Sequence, residues 1–132
     1  MKNKMYGALL AGSTLWCLSI VTAPLFDLSS VYAIFSRICH QDPDRSWFLS
    51  GRQLPVCIRC ASIYFAFTAS LFLGVKPNAR WLRAAVAIMA AEFILARLVI
   101  DAALLRSFSG ILVGLTAAPF VKQGMEELRD SV

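Results

Sequence analysis

A chain of 132 residues that is 58% hydrophobic and 16% charged, with a mean hydropathy of +0.66, is too apolar for an ordinary soluble domain and falls in the membrane class. The net charge of +5 comes from thirteen basic residues scattered between apolar runs, with no basic stripe interleaved with aromatics. That excludes a nucleic-acid surface and leaves the basic residues as topology signals beside membrane segments.

Residues 5–26 carry no charge over 22 positions, enough for a membrane-spanning helix, which needs roughly 20. The MKNK start and the V-T-A before Pro24 also resemble a secretory signal peptide. A retained helix is the expectation, since removing this segment would leave an odd number of spans. Cys17 then serves as a small apolar filler within it. From Ser29 to His40, Val31, Ile34, Phe35 and Ile38 fall at i, i+3, i+4 and i+7 behind Ser29 or Ser30 as N-cap. This predicts a short amphipathic helix lying along the interface, with Cys39 on its apolar face. A turn-rich loop through residue 53 completes a 29–53 segment.

The second span, 54–75, opens with Pro55 in its first turn and stops at Gly74 and Pro77. The third, 83–105, is long enough to cross but carries Glu92, Arg97 and Asp101. The fourth, 107–122, is short and holds Gly110 and Gly114 as G-x-x-x-G, a pattern that lets helix backbones approach closely within a chain or between copies in a homo-oligomer. The fold class expected for the single domain 1–132 is therefore all-α: an integral membrane bundle of four transmembrane helices plus the interfacial helix. With the N-terminus inside, inner segments hold Lys2, Lys4, Lys76, Arg80, Arg83, Lys122 and Arg129, against Arg37, Arg45, Arg52, Arg59 and Arg106 outside. Both termini are accordingly expected in the cytoplasm of a prokaryotic plasma membrane, with lipid as the partner and residues 38–60 on the outer face.

That outer stretch, ICHQDPDRSWFLSGRQLPVCIRC, gathers three of the four cysteines and the single histidine. Cys57 and Cys60 form C-x-x-C near a helix start, where the helix N-terminus and Arg59 both favour thiolates. Cys39 and His40 lie upstream, and Cys39, His40, Cys57 and Cys60 together make a Cys3His set suited to tetrahedral zinc, with copper as an alternative ion. Adjacent Cys and His do not easily point at one ion, so His40 is a direct ligand, a helix cap, a supporting residue or simply a solvated loop histidine. Ala61 after Cys60 rules out a c-type haem attachment site.

The residues Cys39-His40-Gln41, Arg45-Ser46, Pro55-Val56-Cys57, Arg59-Cys60 and Tyr64 resemble the signature of a small prokaryotic integral membrane family of unknown function. Arg106, Gly110 and Gly114 are similar to its last-helix pattern. Where the family pattern reads T-G-I-Y after the second cysteine, this chain has Ala61-Ser62-Ile63-Tyr64. The resemblance implies a multi-span fold and a shared motif, and carries no activity.

Two chemistries suit the cysteines. One is a thiolate–histidine metal site at the outer interface; three cysteines leave one thiol over from any single disulfide. The other is a quinone-linked thiol–disulfide oxidoreductase working through Cys57 and Cys60, with Cys39 available for relay, in an oxidising compartment. A third, purely structural role needs neither. Arg97 and Asp101, at i, i+4 on the third span, are expected to pair facing the bundle. Glu92, nearer the middle of the span, stays unassigned between Arg97 of another copy, Ser or Thr groups and a water-filled cleft.

Overall fold

A computed structural model describes residues 2–98 and 102–132. Among the described residues there are five α-helices: α1 (Lys2–Phe26), α2 (Ser29–Phe35), α3 (Ile58–Leu73), α4 (Ala79–Leu98) and α5 (Ala103–Asp130). Between α2 and α3 lie a 3-10 turn at Pro43–Arg45 and a hairpin of β1 (Phe48–Leu49) and β2 (Arg52–Gln53). Two of the helices, α1 from Asn3 and α5, are long and apolar enough to cross a membrane; α3 is a shorter apolar helix of 16 residues.

Helix α3 is the central element, packed on α1 along one side and α5 along the other. The α3–α5 contact is built on small residues. A Cβ on Gly110 would lie 2.7 Å from the Arg59 carbonyl oxygen, and one on Gly114 would lie 2.8 Å from the Ala66 Cβ. The two backbones are thus in direct contact, the arrangement that G-x-x-x-G permits. This corrects the expectation of a glycine face offered to a second copy: α3 already fills it. Pro119, inside α5, has no N–H to give to the Leu115 carbonyl. Ser70 of α3 donates its hydroxyl to that oxygen at 2.8 Å, so the gap in the helix ladder becomes an interhelical bond. On the α1 side, the Cys17 sulfur lies 3.3 Å from the Thr68 hydroxyl and 3.4 Å from the Tyr64 carbonyl, a buried filler as its sequence position suggests.

The helix bounds differ from the apolar runs for local reasons. Ala102 is extended (φ −112°, ψ 118°), so the run 83–105 is shared between α4 and α5, and α5 continues past residue 122 to Asp130. Gly74 ends α3 in the left-handed conformation (φ 63°), as its position predicts. The opening of α3 is shifted: Pro55 precedes the helix, and Cys57, not a proline, caps it. Helix α2 stops at Phe35 and starts from Leu28 without a side-chain cap, so neither Ser29 nor Ser30 takes that part.

Candidate functional site

The loop expected over residues 41–53 is ordered by a hairpin and two glutamines. Ser50 (φ 53°) and Gly51 (φ 79°) supply the two positive φ angles of a tight two-residue turn, pairing Phe48 with Gln53 and Leu49 with Arg52. Gln41 then donates its amide to the Tyr32 carbonyl at 2.8 Å and the Pro55 carbonyl at 2.9 Å. Gln53 donates to the Gln41 carbonyl at 2.6 Å and the Ser46 hydroxyl at 3.1 Å. Tyr32 closes the ring by donating its hydroxyl to the Gln53 carbonyl. These bonds staple the chain after α2 to the chain before α3. Beneath them Ile20, Phe35, Leu54, Val56 and Ala61 form a buried core, with the Trp16 ring edge-on to Phe35 at 4.8 Å.

The staple sets Cys39 beside Cys57. The Cys39 sulfur accepts from the Cys57 N–H at 3.2 Å, and the Cys57 sulfur accepts from the Cys60 N–H at 3.5 Å as the cap of α3. The sulfurs of Cys39, Cys57 and Cys60 all lie within 4.8 Å of one another, with Cys39 buried and the other two half-buried. All four cysteines are free thiols. Cys57, just before the first residue of α3, has its thiol held down to about 5, chiefly by a hydrogen bond from the Cys60 thiol. Burial opposes this lowering, while the Cys60 and Arg59 amides and the Cys39 thiol reinforce it. Arg59 therefore helps through its backbone N–H, because its guanidinium is engaged elsewhere.

His40 is exposed and lies at the edge of the same cleft, outside the group of converging sulfurs. Gln41, next along, takes a left-handed backbone (φ 52°), so the C-H-Q stretch turns sharply straight after Cys39. The cleft above the sulfurs has a volume of about 290 Å³, and Arg45, Arg59, Arg97 and Arg106 contribute to its walls.

Below the cleft sits an ion cluster that sequence reading left without partners. Glu92 of α4, 7% exposed, accepts from Arg59 at 2.6 and 3.2 Å, lies 4.0 Å from Arg106 Nε, and accepts the Ser109 hydroxyl at 3.4 Å. One carboxylate thereby joins α3, α4 and α5. Arg97 rests over the Phe93 ring at 5.2 Å; its expected partner Asp101 lies outside the described residues.

Three sulfurs at this separation fit a metal ion. Tetrahedral zinc with Zn–S bonds of about 2.3 Å sets its sulfurs roughly 3.8 Å apart, a contraction of about 1 Å from the outer limit here. Soft sulfur donors suit zinc or copper(I) and not a hard oxygen-seeking cation.

Comparison with known proteins places residues 39–120 on a family described as "Predicted membrane protein (DUF2085)". An uncharacterised protein of Methanocaldococcus jannaschii is 38% identical over 74 residues, covering 47% of each chain. An uncharacterised protein of Methanothermobacter thermautotrophicus is 43% identical over 44 residues, 33% of this chain and 40% of its own. The chain thus spans less than half the length of these relatives. No solved structure matches it.

Proposed function

The chain belongs to the DUF2085 family of predicted membrane proteins, and from that premise we propose that it spans the bilayer four times and holds one metal ion, most simply zinc, on Cys39, Cys57 and Cys60 at the outer interface. Helices α1, α3, α4 and α5 are the spans in this reading, with the termini and the 75–83 loop in the cytoplasm. The observation that carries it is the convergence of three sulfurs from two distant segments within 4.8 Å. Metal binding gives those segments a common anchor and supports a structural or Lewis-acid role for the ion. His40 or water completes the coordination.

Elemental analysis of the purified protein, paired with a thiol count, tests this. Near one equivalent of zinc or copper is expected, with Cys39, Cys57 and Cys60 blocked to a maleimide until a chelator is added. Metal-free protein with a reducible Cys57–Cys60 disulfide would overturn it.

A second reading has its own support in the lowered Cys57 thiol beside Cys60. In an oxidoreductase these two thiols form a disulfide, releasing two electrons and two protons that a quinone takes up as quinol. Quinone reduction by the metal-free protein is the discriminating assay.

A further inference from the structure

The arginine-walled cleft is one of two cavities that meet at Arg59 and Phe93. The second is an open groove of about 350 Å³ along α4, lined by Val86, Met89, Ala90, Phe93 and Ile94 and almost wholly apolar. Val86, Met89, Ala90 and Phe93 fall at i, i+3, i+4 and i+7, one helix face, and Arg97 stands a turn above. From Val86 to Arg97 is about 16 Å along the axis, close to half of a ~30 Å hydrocarbon core. Beside the groove α4 packs on α5, and the Arg59–Glu92 pair ties it to α3.

Charge marks one end of this channel. The Arg59 and Arg97 guanidinium groups lie 5.5 and 5.2 Å from the Phe93 ring centre. Glu92 offsets Arg59, and Asp42 lies 3.5 Å from Arg45. Arg97 is exposed, and no carboxylate among the described residues lies within ion-pair distance of it. A guanidinium fork is suited to phosphate oxygens.

We propose that the cleft and groove together bind one anionic phospholipid from the leaflet on the cysteine side. Its phosphate sits against Arg97, beside the Arg59–Glu92 pair, and one acyl chain lies along Phe93, Met89 and Val86. The shared border at Arg59 and Phe93 is what favours an amphiphile over a free anion, because one molecule reaches both cavities from a single point. This binding rests on the four-span reading, in which α4 crosses the bilayer, but needs no metal at the cysteines.

The test uses delipidated full-length protein in detergent. Binding of phosphatidylglycerol is compared by native mass spectrometry with phosphatidylcholine of the same chains, and with inorganic phosphate as a competitor. Phosphatidylglycerol should bind at least about tenfold more tightly, a preference that Arg97→Gln removes, as expected for loss of one charge-assisted contact. Ala90→Trp, which fills the groove from an exposed position, should weaken both long-chain lipids. Equal binding of the two lipids by the wild-type protein would overturn the proposal without any variant. So would displacement of phosphatidylglycerol by millimolar phosphate with Ala90→Trp binding unchanged, the result expected of a soluble-anion site.

Discussion

Gly114→Ala puts the α3–α5 contact to a direct test. The new methyl would meet the Ile63 carbonyl oxygen, the Ala66 Cβ at 2.8 Å and the Phe67 amide nitrogen at 2.9 Å. None of these is the tip of a flexible side chain, and carbon atoms normally rest about 3.5–4.0 Å apart. Relief requires α5 to withdraw from α3 by roughly 1 Å, which also stretches the Ser70–Leu115 bond. Overpacking of this kind costs about 1–3 kcal/mol, offset by up to about 1 kcal/mol of helix propensity gained on replacing glycine. Gly124, on the same helix with nothing within 4 Å of its would-be Cβ, isolates that gain. The difference between Gly114→Ala and Gly124→Ala should therefore be the packing cost alone, about 1–3 kcal/mol. Unfolding by SDS titration in mixed micelles, followed by tryptophan fluorescence, measures it. Adding Ala66→Gly removes only one of the three clashes and should restore stability in part. Identical unfolding midpoints for the two single alanine variants would refute the close approach.

Glu92→Leu should destabilise the protein by about 3–5 kcal/mol, because it takes from Arg59 the buried carboxylate it holds at 2.6 Å. Glu92→Leu with Arg59→Leu should recover much of that loss in the same titration, and a double variant no better than the single one would contradict the ion-cluster account. For the topology, Asn78→Cys in a background lacking the native cysteines should react with a membrane-impermeant maleimide only after the cells are opened. Labelling of intact cells would reverse the orientation.

The apolar runs made α1, α3 and the middle of α5 legible, because length and lack of charge are properties of contiguous residues. The cysteine grouping was legible for a related reason: soft donors are rare, and their clustering shows in a linear text. Glu92 was not legible, since its partners lie 33 residues before it on α3 and 14 after it on α5. The role of Gln41 was equally hidden. It belongs to the recognisable C-H-Q stretch, yet its work is to bond the Tyr32 and Pro55 carbonyls, which only the folded chain brings within reach. The cap of α3 shows the opposite error. Pro55 is a familiar helix opener, but the chain continues extended through Cys57 (φ −68°, ψ 163°), whose sulfur accepts the amide that an oxygen side chain usually takes.

Helix α4 buries few of its own side chains, Ala85 and Glu92 among them, so charge contributes heavily to its hold on the bundle. Apolar packing is indifferent to a little water, but an ion pair strengthens as its surroundings dry and weakens as they wet. The solvating medium thus acts as a clamp of adjustable grip on this one helix. Loose, water-rich micelles should release α4 while α1, α3 and α5 stay together, and a thick, dry bilayer should hold all four.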